Sequence, residues 1–177
     1  NRVLHGEEGI HDTLCGLDFY LTPLAFYQIN PPQTAVLYQQ ALAACGLGGD
    51  ETVFDIYCGI GTISLCLARQ ARRVVGIELV PEAIDAARAN AERNGLDNTE
   101  FHAGAAEAVV PALYAAGYRA DVVVVDPPRK GCERVVLDTI LQMAPRTLVY
   151  VSCDPGSLAR DLAYLLTHGY HLDAVQP

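Results

Sequence analysis

The sequence predicts an α/β fold: a mostly parallel sheet with helices on both faces. Short apolar stretches alternate with segments whose apolar residues recur at helical spacing, the order that sandwiches a parallel sheet between helices. Those stretches are apolar without interruption, as in Val122-Val123-Val124-Val125, which suits strands covered on both faces. Their carboxyl ends carry polar residues at Asp55 to Gly61, Asp126 to Lys130 and Ser152 to Asp154, which burial alone does not select. In open α/β sheets ligands bind outside the carboxyl ends of the strands, so these stretches are expected to face one crevice.

Residues 1–30 show no long helical period and read as lead-in strands from a missing amino-terminal region, with Leu14 to Phe26 forming one or two of them. Pro31-Pro32 opens a helix to about Cys45, because proline is tolerated in a first turn. The first main strand starts at Thr52 and runs into the turn at Gly59, and Ile63 to Ala71 follows as a helix. Strands are then expected at Arg73–Glu78, Thr99–Ala103, Ala120–Val125, Thr147–Ser152 and Tyr170–Val175. Helices fall between them at Pro81–Asn94, Ala105–Ala116, Glu133–Met143 and Pro155–Thr167. Gly95, Gly117 and Gly169 stop three of these helices. No repeat, low-complexity tract or internal linker interrupts residues 31–177, which read as one domain.

A chain of 177 residues, 51% hydrophobic, is long enough for a sizeable core. Its apolar runs are too short and too broken by charge or proline for a membrane partner. No signal peptide opens it; it starts at Asn1 and its only methionine is Met143, so a fragment of a longer protein is expected. A net charge of −9 argues against a broad nucleic-acid-binding face, leaving phosphate contacts to a local basic patch or another domain. The six cysteines form no C-x-x-C pair and no zinc spacing, so reduced thiols in a cytoplasmic protein without a bound metal are expected.

Thr52 to Thr62 organises the chain: strand, glycine turn and helix, the arrangement that presents backbone N–H groups to a ligand at a helix start. A Cβ at Gly59 or Gly61 would hold that ligand away and resist positive φ. A dinucleotide site wants a third glycine where Ser64 stands. Asp55 would repel a pyrophosphate but pairs well with a cationic amino acid, and Glu78 is placed to accept from ribose hydroxyls. Together they suggest S-adenosylmethionine; an ordinary tight β–α turn would use the same glycines. Gln28 would lie beside the first main strand's end, either contacting a ligand or capping a loop.

Cys153 precedes Asp154, a helix-cap residue, and Pro155, a first-turn residue. The positive end of a helix favours a thiolate, the nucleophilic form, whereas the neighbouring carboxylate opposes it. A small buried thiol closing a strand is the alternative. Asp126-Pro127-Pro128 makes a stiff exit that fixes a carboxylate, suited to a planar base or a methyl donor, or to a plain capping turn. Enzymes that methylate base amino groups have a similar stretch followed by an aromatic residue. Here Arg129 and Lys130 follow, and two cations suit a phosphate.

Asp-Ile-Tyr-Cys-Gly-Ile-Gly-Thr at residues 55–62, Gly76-Ile77-Glu78, the stretch Asp126 to Gly131 and Tyr150-Val151-Ser152-Cys153-Asp154-Pro155 together resemble the RNA uracil-C5 methyltransferases, which make 5-methyluridine in ribosomal or transfer RNA. Phe26 to Asn30 and Ser157-Leu158-Ala159-Arg160-Asp161 are also similar to family motifs, so the resemblance covers nearly the whole chain in order. It implies a Rossmann-like class I S-adenosylmethionine-dependent methyltransferase fold with its carboxyl-terminal strand truncated. It makes Cys153 the nucleophile, and Gln28, Tyr57, Glu78 and Asp126 contacts to the cofactor or target base. Asp55, Gly59 and Gly61 join the cofactor set from the turn, and Asp126, Arg129 and Lys130 make the substrate set.

The family usually has asparagine where Asp154 stands, and one cofactor position falls near Ala105, which has no polar side chain. The family's catalytic base, a glutamate shortly beyond the sixth strand, is expected past Pro177. Its amino-terminal RNA-binding domain and its iron–sulfur subdomain are expected outside this stretch too. The rival readings are a methyltransferase acting on a base amino group, a non-catalytic RNA-binding module, and an NAD-dependent oxidoreductase, the last disfavoured by Ser64 and Asp55.

Overall fold

The structure, a computed structural model, describes residues 9–22 and 26–177. In chain order the elements are β1 (Ile10–Leu14), β2 (Leu17–Leu21), α1 (Pro31–Cys45), β3 (Thr52–Ile56), α2 (Thr62–Ala68), β4 (Arg73–Glu78) and α3 (Pro81–Arg93). They continue with β5 (Thr99–Ala103), α4 (Ala106–Ala115), β6 (Val122–Val125), α5 (Arg134–Met143), β7 (Thr147–Tyr150) and α6 (Pro155–Thr167). The main sheet has the order β5-β4-β3-β6-β7, and every neighbouring pair in it is parallel. This is the Rossmann-like architecture expected of the chain.

Alternation along the strands sorts the core into two layers. Val53, Val74, Val122 and Val124 face α2, α3 and the β1–β2 hairpin. Phe54, Val75, Val123 and Val125 face α4, α5 and α6. Strands β3 and β6 are buried at every position, so their continuous apolar character reflects helices on both sides. The hairpin contributes Leu14, Leu17, Phe19 and Leu21 to the first layer. Two side chains on α3 hold it. The Asn90 amide accepts from Tyr20 N at 2.8 Å and donates to Tyr20 O at 3.4 Å, and Asn94 treats Asp18 likewise at 2.9 and 2.8 Å. The i,i+4 pair of amides thus satisfies the backbone of β2 as a neighbouring strand would.

Four expectations change. Tyr170–Val175 is not a sixth strand: Tyr170 N donates to Leu165 O and its hydroxyl to Pro145 O, which carries the chain onto α6, and residues 171–177 are exposed without strand structure. Strand β3 ends at Ile56 rather than running to the glycine turn, because Tyr57 takes φ +73 and both Tyr57 N and Cys58 N donate to Ile77 O. Strand β7 stops at Tyr150, and Ser152 instead builds the turn before α6. Helix α2 stops at Ala68, three residues short of the expected Ala71. Leu14 to Phe26 supplies the end of β1 and all of β2, with Gly16 in the hairpin turn; its residues 23–25 lie outside the described residues.

Candidate active site

From β3 the chain moves outward to β4 and β5, then crosses back to place β6 on the other side of β3. The order reverses between β3 and β6, and open α/β sheets form their ligand crevice at that point. A cleft lies there, lined by Gln28, Tyr38, Asp55, Tyr57, Gly59, Thr62 and Asp126 among others. The sequence-predicted Gln28, Asp55, Tyr57, Gly59 and Asp126 therefore share one concavity.

The turn between β3 and α2 is shaped for a close approach. Gly59 takes φ +55, and a Cβ built on it meets nothing within 4 Å, so the space over it is open. Gly61 takes φ +83 as the cap of α2, and a Cβ there would lie 3.2 Å from Ala87 Cβ and 3.4 Å from Phe101 Cζ. Tyr57, a non-glycine residue at positive φ, is a costly conformation held by its bond to Ile77 O.

Asp55 is fully buried. Ser64 Oγ donates to its Oδ2 at 2.5 Å, while Oδ1 has no partner. Burial pushes its carboxyl up to about 7, against the Ser64 hydrogen bond, with the Asp126 and Glu78 charges raising it further. Burial also raises Asp126. An unpartnered buried acceptor lining a cleft is unfavourable unless a ligand or water meets it, and a cation there relieves the penalty most. Glu78, at the end of β4, accepts from Gly59 N at 3.1 Å through one oxygen and from Val80 N at 3.0 Å through the other. A carboxylate oxygen has two lone pairs, so each retains acceptor capacity for hydroxyls. These groups fit the ammonium and ribose of S-adenosylmethionine.

Cys153 is exposed on the turn between β7 and α6. Ser152 Oγ accepts from Asp154 N at 3.1 Å and donates to Asp154 O at 3.0 Å, closing the turn around it. Asp154 caps α6 by accepting from Ser157 N at 2.7 Å. That amide holds the Asp154 carboxyl below the usual range, and the Arg129 charge adds to the effect. Strands β6 and β7 are neighbours with Val125 opposite Tyr150, and Val151 N donates to Val125 O at 2.8 Å. Asp126 and Cys153 therefore leave adjacent strand ends. Cys153, Arg129 and Lys130 stand outside the residues lining the cleft. Lys130 is paired with Glu133 at 2.7 Å, which leaves Arg129 the freer cation of the two.

Two cleft residues escaped sequence reasoning. Tyr38, on α1, and Thr62, the first residue of α2, share a hydrogen bond of 2.8 Å at the cleft wall. Thr62 was legible as a polar residue following the glycines at a helix start; Tyr38 falls on the buried stripe of α1, where an aromatic reads as core. Among the described residues no group of three or more His, Cys, Asp or Glu side chains is placed to hold a metal ion.

The family model for tRNA (uracil-5-)-methyltransferases matches residues 23–174. The chain belongs to that family. Within it, an uncharacterized RNA methyltransferase of Listeria monocytogenes is 57% identical over 176 residues, 99% of this chain and 39% of the relative. One from Halalkalibacterium halodurans is also 57% identical over 99% of this chain and 38% of its own length. The chain thus spans about two fifths of the curated relatives it matches. Among solved structures, the Pyrococcus abyssi tRNA (uracil-54, C5)-methyltransferase in complex with S-adenosyl-L-homocysteine superposes with a TM-score of 0.78 at 30% identity. That superposition covers 91% of this chain and 38% of the other. Putative S-adenosylmethionine-dependent methyltransferases such as one from Streptococcus mutans, at 13% identity and a TM-score of 0.71, share the fold.

Proposed function

We propose that this chain carries the methyl-transfer site of an enzyme that methylates C5 of a uridine in ribosomal or transfer RNA, using S-adenosylmethionine, with Cys153 as the nucleophile. What supports the reading most is the placement of an exposed thiol just ahead of α6, in the segment that leaves β7 next to the one that carries Asp126, a residue lining the cleft.

C5 of uracil is a weak nucleophile. When the Cys153 thiolate adds to C6, an S–C6 bond forms and the C5=C6 electron pair moves onto C5 and O4 as an enolate. S-adenosylmethionine, held there, would supply the electrophilic methyl that C5 takes up, its S–CH3 bond breaking to leave S-adenosylhomocysteine. Removal of the C5 proton by a base then restores the double bond and expels the thiolate. Asp55 and Glu78 hold the cofactor's ammonium and ribose, Gly59 and Gly61 leave room for it, and Gln28 and Tyr57 complete its wall. Asp126 stands where a carboxyl can orient the base or the donor. Arg129, with Lys130 behind it, meets a phosphate of the flipped-out nucleotide.

The test is digestion and mass spectrometry of a uridine-containing RNA after incubation with the protein and S-adenosylmethionine. The reading requires 5-methyluridine with the full-length protein and none with its Cys153→Ala variant, although that variant still binds S-adenosylhomocysteine. Methylation that survives Cys153→Ala points to a base amino group instead. RNA binding without any cofactor binding points to a non-catalytic module.

A further inference from the structure

The Arg160-Asp161 pair on α6 has no part in the chemistry above, yet it joins the two loops that chemistry brings together. Asp161 is 2% exposed. Its Oδ2 accepts from Cys132 N at 2.8 Å and from the Tyr150 hydroxyl at 2.7 Å. Its Oδ1 accepts from Arg160 Nε at 2.8 Å and is ion-paired with Nη2 at 2.7 Å. Arg160 Nη2 also donates to Lys130 O at 2.8 Å.

One buried carboxylate therefore ties down three segments: the loop leaving β6, the last residue of β7 and the second turn of α6. Tyr150 precedes Cys153 by three residues, and Lys130 and Cys132 close the loop that starts at Asp126 and carries Arg129. Bonds to a charged acceptor are the short, strong ones, and a buried carboxylate with both oxygens occupied is rigid. Gly131 shows how tightly the loop is drawn in. It takes φ +78, and a Cβ there would come within 2.5 Å of both Asp161 Oδ2 and Arg160 Nη2. Burial and the bond to Asp161 keep the Tyr150 phenol protonated, so it remains a donor.

We propose that Asp161 is a positioning residue. Through the Tyr150 hydroxyl, the Cys132 amide and the Arg160 guanidinium it sets the placement of the Cys153 thiol against the Asp126–Lys130 loop. The inference rests on the uracil-C5 reading. Its role is alignment of thiol and target base, a contribution that small misplacements erode steeply.

The test follows covalent capture of an RNA containing 5-fluorouridine in the presence of S-adenosylmethionine. The Sγ–C6 bond forms, C5 accepts the methyl from the sulfonium, which departs as S-adenosylhomocysteine, and C5 keeps its fluorine, so the protein–RNA bond persists. At saturating RNA, Asp161→Asn should slow capture at least tenfold. Tyr150→Phe, which removes one hydroxyl, should slow it about threefold. Both should keep S-adenosylhomocysteine affinity within twofold. Tyr164→Phe serves as a control for helix stability: it deletes the 2.5 Å bond from α6 to Asp138 on α5 and should leave the capture rate unchanged. Equal capture by native protein, Asp161→Asn and Tyr150→Phe overturns the positioning role alone. Equal slowing by Tyr164→Phe also overturns it, by reducing the effect to helix stability. Failure of the native protein to capture the RNA while it binds cofactor overturns this role together with the uracil-C5 reading.

Discussion

Replacing Asp55 with asparagine should stabilise the cofactor-free chain at alkaline pH while weakening its hold on the cofactor. Burial moves the Asp55 carboxyl from 3.8 up to about 7. For a folded-state value raised in this way, the favourable contribution is complete below pH 3.8 and is lost as pH rises through about 7. That interval corresponds to roughly 4 kcal/mol of penalty on the ionised, buried carboxylate. Asparagine removes the penalty, and its amide oxygen still accepts from Ser64. Its amide nitrogen, at the position of the unpartnered Oδ1, lacks an acceptor, which costs about 1–3 kcal/mol. The net expectation at pH 8 is a gain of roughly 1–3 kcal/mol, and near pH 4 a loss of similar size. Urea denaturation without cofactor from pH 4 to pH 8 reads both, and the two stability curves should cross. Curves that stay parallel would refute the reasoning, because Asp55 would then titrate alike in the folded and unfolded chains. With S-adenosylhomocysteine at pH 8 the gain should shrink: losing the carboxylate proposed to meet the ammonium should weaken binding at least tenfold, about 1.4 kcal/mol.

Other perturbations separate the cofactor site from the scaffold. Gly59→Ala should lower stability by only about 1 kcal/mol, the strain of positive φ, because its Cβ points into open space; calorimetry should nevertheless show S-adenosylhomocysteine binding at least tenfold weaker. Gly61→Ala should do the reverse in emphasis, with a larger drop in thermal midpoint, since its Cβ crowds Ala87 and Phe101. Glu78→Gln leaves one of Gly59 N and Val80 N without an acceptor and the other with an uncharged one, and calorimetry should report several-fold weaker cofactor binding with little change in urea midpoint. Asn90→Ala, which strips the buried amide from the edge of β2, should cost about 2 kcal/mol, and hydrogen exchange should locate the loss at Tyr20.

Much of the site was legible because it is local in sequence. The glycine turn, the acid ending β4, the Asp-Pro-Pro exit and the capped start of α6 each announce themselves within a few residues, and the strand order then gathers the first three. What failed to show was long-range or conformational. Tyr170 to Val175 has the alternation of a strand, but a strand exists only with a partner, and Tyr170 bonds back to Leu165 and Pro145 instead. Positive φ at Tyr57 shortens β3, which no propensity suggests for an aromatic residue. The Tyr38–Thr62 bond spans 24 residues and the Asp161–Cys132 bond spans 29, so neither pairing can be read from local pattern. Lys130 reads as available for phosphate, but Glu133, three residues on in the same loop, holds it.

The central claim is that Cys153 bonds to the target base. Peptide mass spectrometry of the protein captured on 5-fluorouridine RNA tests it most directly. The account predicts a single cross-linked peptide containing Cys153, bearing a methylated fluorouridine. Methylated RNA released without any such peptide, or a bond to another cysteine, would contradict it.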